Sequence, residues 1–451
     1  MEQKYDLTEG NIIRTVLFFS LPFLGANLIQ ALYGAVDLMI IGWYCPPEAI
    51  AAVSTGSQVT QIVTCMISGL TLGATVTVGK YAGRKEPEEV KRTISTSLCL
   101  FVAAGLLITG LMLVSADWVL TLLKTPEESF VSAGEYVRVC GAGVVFICGY
   151  NGISAVLRGY GDSGKPLLFV AVAGAGNVAG DIFFIRYLNL GVKGAALATV
   201  LSQGFSMVWA AVYLNRKNFI FSFRLSEFRI YREKVRELLR VGIPISLQEC
   251  MVRLSFLYLT SVTNALGVAA ASAVGIASKY DIFAMLPATS AASALSSVVA
   301  QNYGAGKYRR MQQALVTGMA AALPFSAAFF FWAQLWPKTM IGIFSKDMAI
   351  MEAGIPFFRT CSFDYIFVVF VFCMNGYLNG RGLTVFTMVS CCFGALALRM
   401  PLIYLMCRNM PGNLALIGCV APAVSGIMAV YTGVYVWKLR AFPVPERVKQ
   451  Q

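Results

Sequence analysis

Acidic side chains lie inside long apolar stretches of this sequence, where an ionised group is costly. Asp37 has no basic residue within a helical turn, and Asp181 ends the run Asn177-Val-Ala-Gly-Asp181. Asn177 and Asp181 are four residues apart, so both project from one face of a helix. A charged side chain inside a membrane costs about 2.5–3.5 kcal/mol on insertion scales, and such residues are therefore candidates for function.

These two carboxylates and the amide could form one acidic pocket. Burial and a second nearby carboxylate both favour the binding of a proton, which water entering the pocket would release. The same oxygen atoms would suit a hard cation, so Na⁺ held by Asp37, Asn177 and Asp181 is the alternative to a proton. A purely structural role, with each carboxylate hydrogen-bonded to a neighbouring helix, is the other interpretation.

Further polar residues in the apolar stretches are weaker candidates. Glu249 and Arg253 are four residues apart with the acid nearer the amino end, which favours a helical ion pair over a substrate contact. Asp364 could line a cavity or join two helices, and Tyr33 is either a packing residue or a cavity contact. The remaining ionisable candidates are Lys279, Asp281 and Arg399.

The elements that position these residues are predicted to be membrane-spanning helices. Hydrophobic residues make up 57% of the 451-residue chain and charged residues 13%, against about 25% charged in soluble domains. Crossing about 30 Å of hydrocarbon takes about 20 apolar residues, and a span must be helical because lipid offers no partner to an unpaired amide. Twelve runs are long enough, at roughly 13–41, 50–79, 94–116, 130–157, 166–186, 190–214, 238–266, 269–301, 313–336, 348–378, 383–407 and 412–437.

The distribution of charge predicts the orientation of the chain. The first run is too long for a signal peptide, and an even number of spans places both termini on one side. With that side cytoplasmic, 25 of the 36 Lys and Arg residues lie there and six lie in the opposite loops, in agreement with the positive-inside rule. The net charge of +13 therefore needs no nucleic-acid partner. Histidine is absent, and the twelve cysteines lack metal-ligand spacing and are predicted to be packing residues.

The sequence also repeats itself at a separation of 221–222 residues. The matching pairs are Pro22 with Pro244, Tyr81-Ala-Gly-Arg-Lys85 with Tyr303-Gly-Ala-Gly-Lys307, and Leu157-Arg-Gly-Tyr-Gly161 with Leu378-Asn-Gly-Arg-Gly382. We therefore predict an all-α membrane protein of twelve transmembrane helices in two pseudosymmetric six-helix lobes, residues 1–214 and 238–451. The basic linker at 215–237 is either a tether or an amphipathic segment on the cytoplasmic leaflet.

One stretch imitates a nucleotide-binding loop. Residues 159–164, Gly-Tyr-Gly-Asp-Ser-Gly, satisfy the pattern GxGxxG and, with Lys165, nearly form a phosphate-binding loop. The stretch follows no strand, and Pro166 replaces the Ser or Thr of that loop, so we reject nucleotide binding. A tight turn that uses Gly for positive φ is predicted instead.

The order of these motifs resembles the multidrug and toxin extrusion (MATE) family, and more closely its DinF-like bacterial branch. The resemblance covers essentially the whole chain. The motifs that carry it are Leu21-Pro22, Val36-Asp37 with Gly42, Leu157-Arg-Gly-Tyr-Gly-Asp162, Asn177 with Asp181, Gly194-Ala-Ala-Leu-Ala-Thr199 and Gln301-Asn-Tyr-Gly-Ala-Gly-Lys307.

The resemblance implies a V-shaped protein that exports organic cations or other amphipathic compounds as H⁺ or Na⁺ flows inward. It places Asp37, Asn177, Asp181 and Thr199 at the amino-lobe cation-coupling site, and Pro22 at the bend of the first helix. It also implies a monomer in the lipid of a bacterial-type inner membrane, with no cofactor and no enzymatic activity.

A carboxyl-lobe sodium site, found in another branch of the family, uses acids in spans seven and ten. Here Asp364 is displaced from the span-ten position by about one turn, and Arg253 lies close to the expected span-seven acid. This departure favours coupling in the amino lobe, where neutralising Asp37 and Asp181 would let the first helix bend.

Four alternatives to this hypothesis are open. A related flippase would move lipid-linked oligosaccharide or lipid, often with extra spans and a strongly cationic cavity. A different twelve-helix carrier of the major-facilitator type would carry an Asp in the loop between spans two and three, which residues 79–85 lack. An intramembrane enzyme would need paired catalytic groups, and a channel would show flux insensitive to ion gradients.

Overall fold

The computed structural model describes residues 6–123, 125–217, 219–410 and 413–441, and the regular structure of these residues is helical throughout. The helices of the amino half are α1 Ile12–Tyr44, α2 Pro47–Gly83, α3 Pro87–Leu122, α4 Glu127–Ala142, α5 Val144–Tyr160, α6 Gly164–Asp181 and α7 Gly191–Arg216. Those of the carboxyl half are α8 Arg232–Ala265, α9 Val268–Gly304, α10 Tyr308–Leu335, α11 Pro337–Gly342, α12 Met348–Cys361, α13 Phe363–Gly380, α14 Thr384–Cys392, α15 Met400–Asn409 and α16 Leu414–Ala441. Two π-helical segments, Ile182–Tyr187 and Phe393–Arg399, continue α6 and join α14 to α15.

Most of these helices are long and apolar enough to cross a membrane. Ten spans pass that test among the described residues, and α4 with α5, bent by 47°, makes an eleventh. The long helix α8 is not among them; Glu249 and Arg253 lie in its middle. An all-helical, multi-pass membrane fold is therefore confirmed, while the count of twelve spans stays a prediction.

The outer faces of the helices are apolar, as contact with lipid requires. On α3, Leu107, Leu111 and Val114 follow one another at helical spacing and are 66%, 56% and 89% exposed. A stripe of this kind would be a liability in water. In a membrane, acyl chains cover it.

The described chain forms two compact units. The first comprises the residues up to Gly10, Leu21–Ser246 and Ala300–Lys307, and the second comprises the rest. The boundary between the two units falls within α1 and within α8, close to Pro22 and Pro244. These two prolines match in the repeat. The predicted domains 1–214, 215–237 and 238–451 follow the sequence repeat instead, and they stay a prediction.

The linker between α7 and α8 packs against α3 within the first unit. Phe221 is 2% exposed, and its ring meets that of Phe228 edge to face at 5.5 Å. The Ser95 hydroxyl donates to the carbonyl of Glu227 at 2.8 Å, and the backbone amide of Arg229 donates to the Ser95 oxygen. The aromatic side chains of the linker therefore face protein, and a contact of its basic side chains with the leaflet remains a prediction.

The second unit has an aromatic centre of its own. The ring of Tyr280 on α9 meets those of Trp332, Phe344 and Phe358 edge to face, with centroids 5.6–5.8 Å apart. Its hydroxyl donates to the carbonyl of Met340 at 2.9 Å. Aromatic side chains of α9, α10 and α12 thus fix the packing of these helices.

Turns that match in the repeat have matching backbones. Gly161 and Gly382, 221 residues apart, have φ of 101° and 79°. The turn predicted at residues 159–164 is therefore confirmed, since Gly161 follows the end of α5 in the left-handed region. The basic residues Lys4, Lys124, Arg447 and Lys449, which counted toward the predicted orientation, lie outside the described residues.

Candidate functional site

Asp37 and Asp181 meet inside the first unit. Asp37 lies on α1 and is 7% exposed, while Asp181 ends α6 and is fully buried. Their carboxyl groups are close enough for each to act on the other. The sequence placed them 144 residues apart; the fold makes them neighbours.

Local features of α6 bring the two helices together. Gly174 lies two turns before Asp181, and a Cβ built there would lie 3.3 Å from the Tyr33 ring of α1, so the helices approach closely. At Asp181 the helix changes from α to π, a local widening that is frequent at functional sites. Tyr33, one of the candidates from the sequence, lies one turn before Asp37 on α1, and its ring packs at Gly174 of α6.

An amide extends the acidic pair along α6. Asn177 is 2% exposed and donates from Nδ2 to the Thr199 hydroxyl of α7 at 3.2 Å. This bond turns the amide oxygen of Asn177 away from Thr199, and that oxygen accepts no hydrogen bond from the described residues. The four residues that the resemblance placed at a coupling site thus lie on three neighbouring helices of one unit.

No donor and no basic side chain among the described residues balances the acidic pair. Both carboxylate oxygens of Asp181 and Oδ1 of Asp37 are buried and accept no hydrogen bond from the described residues. The group that acts most strongly on each carboxyl is the other one. Two buried like charges that lie close together are strongly unfavourable. A bound proton or a small cation would relieve this repulsion.

The wall around Asp37 contains residues that the sequence analysis did not select. Tyr136 on α4 is 4% exposed, with its hydroxyl 3.4 Å from that of Ser57. The charge of Asp37 acts on Tyr136 and on Cys140, one turn further along α4. Nothing in their spacing relates them to Asp37, so only the packing of α4 could identify them.

A second group of charged residues lies inside the second unit. Asp364 on α13 is 4% exposed, and the charge of Arg399 acts on it and on Asp281 of α9. Tyr365 donates from its hydroxyl to Oδ1 of Asp281 at 2.9 Å, and Arg399 donates to the Ser255 hydroxyl at 3.4 Å. Asp281, Asp364 and Arg399 line one cavity of about 30 Å³, room for a water molecule but not for a drug.

The remaining sequence candidates have plainer surroundings. Glu249 is partly buried and Arg253 is exposed, and the charge of Arg253 acts on Glu249 along α8. Whether this pair also contacts a substrate stays a prediction. Pro22 lies inside α1, which is helical on both sides of it; a proline there removes one backbone hydrogen bond and weakens the helix locally.

Comparison with known proteins agrees with this architecture. The MatE family model matches residues 22–181 and 244–405, one stretch in each half of the repeat. The probable multidrug resistance protein YpnP of Bacillus subtilis is 28% identical over 389 residues, 84% of either chain. The probable multidrug resistance protein NorM of Thermotoga maritima is 26% identical over 448 residues, 97% of this chain and 96% of its own.

Solved structures share the fold. A MOP superfamily transporter from Pyrococcus furiosus aligns with a TM-score of 0.89 and 23% identity, covering 96% of this chain and 98% of that one. A multidrug resistance MATE family transporter in an outward-facing conformation aligns with a TM-score of 0.90, also at 23% identity, over 97% and 98%.

Proposed function

Because this chain belongs to the MATE family, whose model matches both of its halves, we propose that this membrane transporter exports organic cations or other amphipathic compounds in exchange for H⁺ or Na⁺. The observation that supports the exchange is the buried pair Asp37 and Asp181, which no basic side chain of the described residues balances. The names of the relatives as multidrug resistance proteins support the choice of cargo.

The proposed mechanism is alternating access governed by the charge of the acidic pair. Cargo enters from the cytoplasmic side while Asp37 and Asp181 carry no coupling ion. A proton or Na⁺ from outside then neutralises the pair and removes its repulsion. The change in charge alters how α1 packs against α6, and Pro22 is the place where α1 yields most easily.

The ion gradients are sufficient for this work. A coupling ion gains about 2.3 kcal/mol per 100 mV of membrane potential, and a tenfold proton gradient adds about 1.4 kcal/mol. Accumulating a neutral cargo 100-fold outside costs about 2.7 kcal/mol, so one proton suffices. A monovalent cationic cargo must also move against the potential, and its export therefore requires two ions.

Both coupling ions have a physical basis at this site. A proton needs only one carboxylate to accept it and then lets the pair share a hydrogen bond. Sodium would use the carboxylates together with the amide oxygen of Asn177, all of them hard oxygen ligands.

Transport in proteoliposomes tests the proposal. Proton and sodium gradients are imposed separately, with a panel of cationic, zwitterionic and anionic compounds and a fluorescent lipid analogue. We expect one gradient to drive uptake of cationic or amphipathic compounds, and Asp37→Asn to make the flux independent of that gradient. The matched control is Asp117→Asn, because Asp117 is exposed and pairs with Arg138 on the surface.

Two results would contradict the proposal. Full gradient-driven transport by Asp37→Asn would remove the acidic pair from the coupling mechanism. Movement of the lipid analogue alone, insensitive to both gradients, would favour the flippase.

A further inference from the structure

The ends of α2 and α9 cross at two glycines that match in the repeat. Gly83 and Gly304 are 221 residues apart, as are Lys80 and Gln301. A Cβ on Gly83 would collide with the backbone of Gln301, with the carbonyl carbon at 2.7 Å. A Cβ on Gly304 would collide with the backbone of Lys80, with the carbonyl carbon at 2.9 Å. Each half thus offers a glycine to the backbone of the other, in the same register.

A short segment before α1 lies across this crossing. The amide of Leu7 donates to Oε1 of Gln301 at 3.2 Å, and Nδ2 of Asn302 donates to the carbonyl of Leu7 at 3.0 Å. Lys307 donates from Nζ to the carbonyl of Thr8 at 2.8 Å. Leu7 and Thr8 are each only 3% exposed. We call Asp6–Glu9 the amino-terminal strap; it is held by side chains that end or follow α9.

Gln301 connects the strap to the amino half. While Oε1 accepts from Leu7, Nε2 donates to the carbonyl of Gly159 at the end of α5, at 2.9 Å. Gln301 and Asn302 are fully buried. A buried amide that uses both ends across three chain segments fixes their relative positions.

The contact is polar and close rather than broadly apolar. The nearby apolar cluster contains only Val76, Val241, Ile245 and Ala300, with Leu72 packed against it. The polar part of this contact can separate at low cost, because water can satisfy the amide groups. The two glycines allow the backbones to reach hydrogen-bonding distance of the strap when it closes again.

We propose that the Gly83–Gly304 crossing and the amino-terminal strap form a releasable seal at the predicted cytoplasmic end of the protein. The proposal rests on the alternating access proposed above. Residues of both sequence halves meet here, within the first compact unit. In the proposed cycle this contact separates when cargo enters from the cytoplasm, and it forms again before the cargo is released outside. The acidic pair would govern the cycle, and this seal would close one side of it.

Crosslinking of the strap tests whether the contact opens. In Thr8→Cys/Lys307→Cys, a short bifunctional thiol reagent should join the strap to the residue that follows α9, since the wild-type side chains are 3.2 Å apart. We expect the crosslinked protein to lose transport and to regain it when the linker is reduced. The single variants Thr8→Cys and Lys307→Cys, treated alike, should keep transport. Full crosslinking with undiminished transport would overturn the proposal.

The rate of crosslinking, measured without cargo or gradient, tests the glycines independently of ion coupling. Gly304→Ala should slow crosslinking of the double-cysteine protein by at least about tenfold, because the added methyl opposes closure. Gly275→Ala is the matched control on the same helix, since its Cβ would meet nothing within 4 Å. An unchanged rate in a folded Gly304→Ala protein would overturn the role of the crossing. If that variant does not fold, the effect of the crosslink on transport decides alone.

Discussion

The two compact units each contain a pair of buried or partly buried aspartates, but they balance the negative charge differently. In the first unit, Asp37 and Asp181 lie beside one another, and none of the residues that the structure describes is a basic partner to them. In the second unit, Arg399 acts on Asp281 and Asp364, and Tyr365 donates to Asp281. A buried carboxylate close to an arginine is partly balanced by it, whereas an acidic pair with no basic side chain nearby must take all of its positive charge from solution. The comparison therefore supports the proposal that ion exchange takes place in the first unit.

Replacing one acid in each unit should separate the two roles most strongly. Asp181→Asn leaves Asp37 with a neutral neighbour, so we expect gradient-driven transport to fall to background. Asp364→Asn should retain the dependence of transport on the gradient. The positive charge near Asp364 comes from the side chain of Arg399, so this acid has no need of an ion from solution. Both are measured as initial rates in proteoliposomes with equal amounts of reconstituted protein. Loss of coupling in Asp364→Asn alone would reverse the assignment.

Removing the compensating cation should make the second unit resemble the first at a cost in stability. Arg399→Gln leaves Asp281 and Asp364 without a balancing charge, and we expect a loss of about 2 kcal/mol, below the range for a fully buried ion pair because Arg399 is only partly buried. Thermal unfolding in detergent, followed by intrinsic fluorescence, measures the change. The double variant Arg399→Gln/Asp364→Asn should recover part of the loss. No recovery would show that the two charges are not coupled.

The hydroxyl of Tyr365 should contribute less than the cation. Tyr365→Phe removes the donor to Oδ1 of Asp281 and leaves a partly buried acceptor unsatisfied, which we expect to cost about 1 kcal/mol. Transport should remain coupled. Tyr404→Phe is the control, since Tyr404 is 53% exposed. Equal unfolding temperatures for the two variants would contradict a stabilising role for the Tyr365 hydrogen bond.

The smallest effect is expected beside the acidic pair. Thr199→Val removes the acceptor of the Asn177 amide and frees the amide to rotate, which should weaken ion binding by a few-fold, or about 1 kcal/mol. The measurement is the concentration of the coupling ion that gives half-maximal transport. Thr64→Val on the exposed face of α2 serves as control. A half-maximal concentration that does not move would place Asn177 outside the ion's surroundings.

Much of the helical framework followed from residue patterns. The run at 13–41 became α1, Ile12–Tyr44, and the turn predicted at residues 159–164 has the positive φ at Gly161. The break between α4 and α5 inside the predicted span 130–157 was not anticipated, because nothing in the sequence distinguishes Gly143 from the other glycines of this run, such as Gly141 and Gly149. Hydropathy does not register a bend.

The sequence predicted more of the candidate site in the first unit than of the charged group in the second unit. The spacing of Asn177 and Asp181 predicted one helix face, and the structure places Asp37 against it. In contrast, Asp281, Asp364 and Arg399 were separate weak candidates, and their meeting in one cavity could not be read from three distant positions. The role of Gln301 at the crossing of α2 and α9 was hidden for the same reason.

The sequence alone was enough to establish that the chain contains many long apolar segments, that its halves repeat, and which acids lie inside those segments. These properties are local or depend on one fixed offset, and the cost of an unpaired backbone amide in lipid makes each segment a helix. Which faces of the helices contact one another could be seen only in the packed structure. A helix that is apolar on all sides carries no periodic signal that distinguishes a lipid neighbour from a protein neighbour, so the partners of Asp37 and Asp364 became known only when the helices were packed.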